Sequence, residues 1–117
     1  MMILAVDDEP LNLMIIKELF DDTHDITLVD SGEKAIEQLG KKVPNLILLD
    51  VMMPGIDGIE VCKSVRANPN MSDVKIIMVS GKTYDVDIQA GLSAGANHYI
   101  SKPFDMMALV DLVESYN

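Results

Sequence analysis

The chain has 117 residues, of which 49% are hydrophobic and 24% are charged, and its formal net charge is −10. This length suits a single domain with one core, and the composition excludes a disordered chain. The acidic balance argues against direct nucleic-acid binding, and no apolar run approaches the roughly 20 residues of a membrane span. We therefore expect one domain over residues 1–117 that has neither a direct nucleic-acid partner nor a membrane partner.

Five short apolar runs recur along the chain at the spacing of strands that alternate with helices. The third run is continuously apolar rather than alternating, which is typical of a strand that is covered on both faces. The predicted strands are Ile3–Val6, Ile26–Val29, Leu46–Leu49, Val74–Val79 and Ala96–Ile100.

Helical patterns lie between and after these strands. Pro10 suits the start of the first helix, and Ser31 and Asp105 are suitable N-caps for the second and the fifth. The fourth helix is weak, because Gly91 and Ser93 lie within it. Gly91 either makes this helix easy to shift or permits close packing. The predicted helices are Leu11–Phe20, Gly32–Leu39, Ile59–Ala67, Asp85–Ala94 and Met106–Tyr116.

The order of these elements is (βα)₅, which predicts an α/β fold with a doubly wound parallel sheet and helices on both faces. Right-handed crossovers leave few strand orders, and the flavodoxin-like order 2-1-3-4-5 is the one that we expect. Periodicity alone does not establish the strand order.

Cys62 is the only cysteine, so the chain cannot form an internal disulfide. A single cysteine on the apolar face of the third helix suits a buried packing role and a reducing compartment. The apolar start of the chain, Met1–Val6, is too short for a secretory signal and lacks a basic flank. We therefore predict a cytoplasmic protein.

Chemically useful side chains come directly after four of the five predicted strands. Ligands of open α/β sheets bind beyond the carboxyl ends of the strands, so these side chains would converge if strands 1, 3, 4 and 5 are neighbours. A single polar residue after a strand is only the beginning of a loop, whereas several on one edge indicate a site. The set consists of Asp7, Asp8, Asp50, Ser80 and Lys102.

The chemistry of this set depends on its charges. The three aspartates would repel one another without a cation, and hard carboxylate ligands suit Mg²⁺. Asp50 can act as a nucleophile toward a phosphoryl group and form an aspartyl phosphate. Lys102 can neutralise one phosphoryl oxygen, and the Ser80 hydroxyl can donate to another. The sequence therefore predicts a magnesium-dependent phosphoryl acceptor.

These motifs resemble those of the receiver domain of two-component response regulators, and the resemblance covers essentially the whole chain. Each motif is weak alone, but their order and spacing together are highly specific. The segments that carry the resemblance are Val6–Pro10, Leu48–Gly58, Val79–Gly81 and Gly95–Phe104.

The resemblance implies that Asp50 is the phosphorylation site and that a histidine kinase or a histidine phosphotransfer protein is the donor. It also implies how Mg²⁺ is held. Asp8 and Asp50 would bind the ion directly together with the backbone carbonyl of Met52, while Asp7 would act largely through water.

The same resemblance assigns the remaining roles. Lys102 would pair with the phosphoryl group, and its peptide bond to Pro103 is expected to be cis. Ser80 and Tyr99 would form a switch pair that changes the face made by helix 4, strand 5 and helix 5. That face would then control a downstream output domain or protein.

Two other classes of protein can be weighed on the same residues. A pure interaction module would be expected to lack some of Asp8, Asp50 and Lys102, yet all three are present. An aspartate-nucleophile phosphatase needs a second aspartate where this chain has Met52, and a nucleotide-binding enzyme needs a glycine-rich loop in place of Asp7–Pro10. We therefore predict a regulatory domain that is not an enzyme and that catalyses only its own phosphoryl acceptance and slow dephosphorylation.

Overall fold

A computed structural model describes all residues from Met1 to Asn117 as strands that alternate with helices. The strands are β1 (Met2–Val6), β2 (Asp25–Val29), β3 (Leu46–Asp50), β4 (Lys75–Ser80) and β5 (His98–Ser101). The helices are α1 (Pro10–Phe20), α2 (Gly32–Lys41), α3 (Gly58–Ala67), α4 (Asp85–Ser93) and α5 (Met106–Glu114). A short 3₁₀ turn, Pro69–Met71, precedes β4 and was not predicted from the sequence.

All strand pairs are parallel, and the strand order is β2-β1-β3-β4-β5. This confirms the predicted flavodoxin-like order. Asp50 pairs with Val79, and Ser80 pairs with Ser101, so the last residues of β3, β4 and β5 lie side by side. The carboxyl ends of the strands therefore form one edge, as the prediction of a site at that edge requires.

The hydrophobic core consists of two layers, one on each face of the sheet. Strand β3 contributes to both, since Leu46 and Leu48 face the layer of α1 and α5, while Ile47 and Leu49 face the layer of α2 and α3. Helices cover both faces of β3, which explains the continuous apolar run in this strand. Cys62 is buried in the second layer, as predicted.

Caps and turns explain where the elements begin and end. The Ser31 hydroxyl accepts a hydrogen bond from the amide of Lys34, and the Asp105 carboxylate accepts one from the amide of Ala108, so both predicted N-caps are confirmed. Strand β5 begins two residues later than predicted because the amide of Ala96 donates to the carbonyl of Gly91 and completes the end of α4.

No helix of this fold combines the length and the hydrophobicity that crossing a bilayer requires.

Candidate functional site

Asp50 is the last residue of β3 and lies almost wholly buried at the carboxyl edge of the sheet, with 3% of its surface exposed. Its Oδ1 accepts a hydrogen bond from the amide of Met52 at 3.3 Å. Its Oδ2 lies 3.4 Å from the ammonium nitrogen of Lys102. The two oxygens of this carboxylate therefore face different partners at the mouth of the site.

Asp7 and Asp8 come directly after β1 and complete an acidic cluster with Asp50. Asp7 is buried and its Oδ1 accepts a hydrogen bond from the amide of Glu9 at 2.9 Å, while Asp8 is exposed. One carboxylate oxygen from each of Asp7, Asp8 and Asp50 lies within 4.8 Å of the other two. Three hard oxygen donors, one of them open to solvent, fit a Mg²⁺ ion that keeps several of its waters.

Lys102 connects β5 to this cluster. Its amide donates to the carbonyl of Ser80 at 2.8 Å, and its peptide bond to Pro103 is cis. Its ammonium nitrogen lies 2.9 Å from Asp7 Oδ2 and 3.4 Å from Glu9 Oε1, in addition to its contact with Asp50. Burial opposes the charged form of Lys102, but the hydrogen bond to Asp7 and the neighbouring carboxylates outweigh it and raise the pKa of the ammonium.

The electrostatics of Asp50 differ from those of an ordinary aspartate. Burial, reinforced by the negative charge of Asp7, raises the pKa of Asp50 from 3.8 to about 7. The positive charge of Lys102 and the hydrogen bond from the Met52 amide act in the opposite direction and are outweighed. An ionised Asp50 is therefore costly in the metal-free site, and a bound divalent cation would relieve that cost.

Ser80 and Tyr99 are linked through one residue, Lys82. The Ser80 hydroxyl is fully buried and accepts a hydrogen bond from the amide of Lys82 at 3.1 Å. The Tyr99 hydroxyl donates to the carbonyl of Lys82 at 2.6 Å. The predicted pair is thus joined by the loop that leads into α4.

Gly91 of α4 packs directly against the ring of Tyr99. A Cβ at Gly91 would come within 2.7 Å of the Met78 sulfur and 2.9 Å of the Tyr99 ring. Of the two predicted roles of Gly91, the structure therefore supports close packing of α4 against the sheet.

A cleft of about 510 Å³ opens above Asp50 between α1 and the β5–α5 loop. Its polar lining includes Glu9, Asp50 and Lys102, and its apolar lining includes Phe104 and Met106. The cleft combines convergent charged groups with apolar walls, which is the usual character of a binding site.

Most of the predicted site residues are brought together, and two contacts were missed. Asp7, Asp8, Asp50 and Lys102 share one cluster, whereas the Ser80 hydroxyl is hydrogen-bonded to Lys82. Sequence reasoning did not assign a role to Lys82 or to the contact of Glu9 with Lys102. The position of Glu9 directly after two aspartates could have indicated its place in the site. No neighbouring sequence feature indicates a role for Lys82.

Three comparisons with known proteins agree on the family. The family model described as response regulator receiver domain matches residues 3–114. The DNA-binding response regulator MtrA of Mycolicibacterium smegmatis is 40% identical over 114 residues, which are 97% of this chain and 49% of that protein. The chain thus spans about half the length of the curated relatives it matches.

Two solved structures share the fold closely. Chemotaxis response regulator CheY4 of Vibrio cholerae superposes with a TM-score of 0.91 at 26% identity, covering 99% of this chain and 98% of that one. The signal receiver domain of a signal transduction histidine kinase from Syntrophus aciditrophicus superposes with a TM-score of 0.91 at 27% identity, covering 98% of this chain and 88% of that one.

The prediction that the protein has no direct nucleic-acid partner is wrong, because MtrA is a DNA-binding response regulator. The prediction was drawn from the net charge of −10, and a charge balance describes only the residues that it counts. About half of MtrA lies outside the matched segment, and the charge balance of this chain does not describe that half. An acidic segment of this kind is therefore compatible with a DNA-binding protein.

Proposed function

This chain belongs to the response regulator receiver domain family, and from that premise we propose that it accepts a phosphoryl group on Asp50 in a Mg²⁺-dependent reaction. The observation that supports this most strongly is the placement of Asp50. Its carboxylate lies within 4.8 Å of those of Asp7 and Asp8 and 3.4 Å from the ammonium of Lys102. We propose residues 1–117 as one receiver domain acting as a regulatory unit.

The proposed metal ligands are Asp8, Asp50 and the backbone carbonyl of Met52, with Asp7 acting through water. Bound Mg²⁺ would supply positive charge that lets the carboxylates stay ionised beside a phosphoryl group. The buried Asp50 is the last residue of β3, and the Met52 amide donates to its Oδ1, which helps to orient the carboxylate.

The proposed transfer uses few groups of this chain. A carboxylate oxygen of Asp50 forms the new P–O bond while the P–N bond of a donor phosphohistidine breaks, and the leaving imidazole nitrogen keeps the electron pair. Lys102 stands 3.4 Å from Asp50 and can neutralise a phosphoryl oxygen there. The Ser80 hydroxyl would donate to another phosphoryl oxygen, and because phosphoryl transfer depends mainly on positioning and charge, these groups and the ion suffice.

Acetyl phosphate tests the proposal without a kinase. With Mg²⁺, the protein should gain the mass of one phosphoryl group, and EDTA should abolish this gain because the acidic site cannot then hold the donor's charge. Asp50→Asn should remain unlabelled, because an amide is not a competent nucleophile. Intact-protein mass spectrometry and hydroxylamine sensitivity provide the measurements. Undiminished labelling of Asp50→Asn, or labelling that persists in EDTA, would contradict the proposed site.

We propose a histidine kinase or a histidine phosphotransfer protein as the donor. The cleft above Asp50 is lined by Ile15 of α1 and Met106 of α5, and on the same two helices the side chains of Leu11 and Met107 are each 67% exposed. An exposed apolar border around a charged centre suits docking of an amphipathic helical partner. We place this exchange in the cytoplasm, because the lone buried cysteine suits a reducing compartment.

We further propose that phosphorylation is read by Ser80 and Tyr99. A phosphoryl group on Asp50 would draw the Ser80 hydroxyl away from the Lys82 amide that it now contacts. The Tyr99 hydroxyl now donates a hydrogen bond to the Lys82 carbonyl. Movement of Lys82 would break this hydrogen bond, and the Tyr99 side chain would turn toward the space beside β4. This movement would reach the face made by α4, β5 and α5, where an output domain or protein would respond.

Beryllofluoride with Mg²⁺ should therefore perturb the amides of residues 80–95 and 99–102 more than those of α2. Tyr99→Ala should reduce these shifts on the α4 face while leaving binding of the mimic largely unchanged, because Tyr99 lies outside the acidic cluster. Two-dimensional NMR of labelled protein measures both effects. Shifts that concentrate on α2, or that are unchanged in Tyr99→Ala, would show that this route is wrong.

A further inference from the structure

Glu33 in the first turn of α2 contacts a loop that lies far from it in sequence. Its Oε1 accepts a hydrogen bond at 2.6 Å from the amide of Ile56, which is 23 residues away. Ile56 belongs to the β3–α3 loop, residues 51–57, which begins directly after Asp50. A carboxylate in the first turn is also favoured by the helix dipole, so Glu33 is well placed to accept this bond.

Two glycines make room for the contact from both sides. Gly55 has a φ of 76°, and a Cβ there would come within 2.6 Å of Glu33 Oε1. A Cβ at Gly32 would come within 2.1 Å of the carbonyl oxygen of Ile56. A larger residue at Gly32 would clash with the backbone of the loop, whereas one at Gly55 would displace the Glu33 carboxylate and strain a backbone whose φ is positive. Both glycines therefore favour the close approach.

The loop has few other attachments of its backbone. At its start the Met52 amide donates to Asp50 Oδ1, and just after its end the Gly58 amide donates to the Val51 carbonyl. Both of these bonds join the loop only to the residues that directly flank it. The bond from Ile56 to Glu33 is the backbone hydrogen bond that joins the tip of the loop to another helix.

We propose that Glu33 is a positioning residue that fixes the β3–α3 loop and thereby the backbone carbonyl of Met52 for the cation at Asp50. The inference rests on the proposed function, because it concerns the ligand that Met52 would supply. Glu33 itself lies outside the acidic cluster and would not touch the ion. Its effect would be to keep the loop in one arrangement before the ion binds, which lowers the cost of ordering that loop on binding.

Glu33→Ala removes the acceptor, whereas Glu33→Gln keeps a carbonyl oxygen that can accept the same hydrogen bond. Glu37→Ala is the matched control, since Glu37 is exposed, lies one turn further along α2 and pairs with Lys41 rather than with the loop. In the metal-free protein, Glu33→Ala should speed hydrogen exchange at the Ile56 amide by about tenfold while the β3 amides keep their protection. Glu33→Gln and Glu37→Ala should exchange like the unaltered protein.

Titration with Mg²⁺ alone, monitored by NMR or calorimetry, gives the second measurement. Glu33→Ala should weaken Mg²⁺ binding by about three- to tenfold, less than the 10–100-fold typical of a residue that holds a metal ligand directly. Glu33→Gln and Glu37→Ala should stay within about twofold of the unaltered protein by the same reasoning.

The outcomes separate this inference from the proposed function. If the unaltered protein neither binds Mg²⁺ nor takes a phosphoryl group from acetyl phosphate, the proposed function fails whatever Glu33 does. If it does both, while Glu33→Ala binds Mg²⁺ as tightly as Glu37→Ala, the positioning role is overturned. Equal losses in Glu33→Gln and Glu33→Ala, or faster exchange throughout β3, would also overturn it, because charge or general stability would then be the cause.

Discussion

Asp50→Asn is expected to raise the free energy of unfolding of the metal-free protein at about pH 8 by an amount on the order of 2–4 kcal/mol. Asp50 is 3% exposed, and burial together with the charge of Asp7 raises its pKa to about 7. A rise of this size from 3.8 corresponds to roughly 4 kcal/mol at most, since each pH unit is worth about 1.4 kcal/mol. Asparagine removes the buried charge and keeps an oxygen that can accept from the Met52 amide.

The sign of the pH dependence is set by proton binding. Between the unfolded pKa of 3.8 and the folded value of about 7, the folded protein holds the Asp50 proton more tightly than the unfolded chain does. The contribution of Asp50 to the free energy of unfolding therefore falls as pH rises through that window, and it is constant above the window. The gain in the free energy of unfolding from Asp50→Asn should be small at about pH 4 and should reach its full size above about pH 7.

Urea unfolding in EDTA across this pH range measures the effect. Asp22→Asn is the matched control, because Asp22 is exposed and its loss changes the net charge of −10 equally. The control should change stability by no more than about 0.5 kcal/mol. Added Mg²⁺ should reduce the difference in stability between Asp50→Asn and the unaltered protein, because the ion should stabilise the unaltered protein more. A difference that is independent of pH, or equal in both variants, would contradict a buried charge at Asp50.

The types and approximate bounds of the strands and helices could be predicted closely because their determinants are local patterns. The apolar run in β3 is continuous since both faces of the sheet are covered, and the caps at Ser31 and Asp105 are each made by a side chain three residues from its partner. The ends of strands depend also on hydrogen bonds made by the flanking turns. The amide of Val74 completes a turn by donating to the carbonyl of Met71, so β4 begins at Lys75 rather than at Val74.

The acidic cluster could be predicted because strand order brings the ends of β1 and β3 together, and the aspartates at these ends are visible in the sequence. Contacts between distant side chains carry no such signal. The imidazole of His24 is hydrogen-bonded to Glu114 at 2.6 Å across 90 residues, and no spacing indicates this. The contact of Glu33 with Ile56 depends equally on how α2 and a loop approach each other in three dimensions. Partners outside the chain were the least predictable, as the relationship to MtrA shows.

Lys102→Met is expected to lower the free energy of unfolding of the metal-free protein at about pH 8 by roughly 2–4 kcal/mol. The Lys102 ammonium lies 2.9 Å from Asp7 and 3.4 Å from Asp50, whose side chains are 3% and 4% exposed. Removing this cation would leave two nearly buried carboxylates facing each other without compensation. Methionine keeps most of the apolar stem of lysine, so the loss reports mainly the charge.

Two conditions should restore stability to this variant, and both depend on the same electrostatics. Lowering the pH to about 5 should protonate Asp50, whose pKa is already raised to about 7 with Lys102 present, and so remove one of the opposing charges. Mg²⁺ should raise the melting temperature of Lys102→Met more than that of the unaltered protein, because a divalent cation would replace the missing positive charge.

The exposed Lys63 supplies a matched control in Lys63→Met, whose stability should change little under either condition. If Lys102→Met is as stable as Lys63→Met without metal, or if Mg²⁺ stabilises it less than the unaltered protein, then Lys102 does not neutralise this cluster. A loss that is rescued by both acid and Mg²⁺ would instead mean that the carboxylate edge of this sheet requires a cation, which is the physical property that phosphoryl acceptance on Asp50 would exploit.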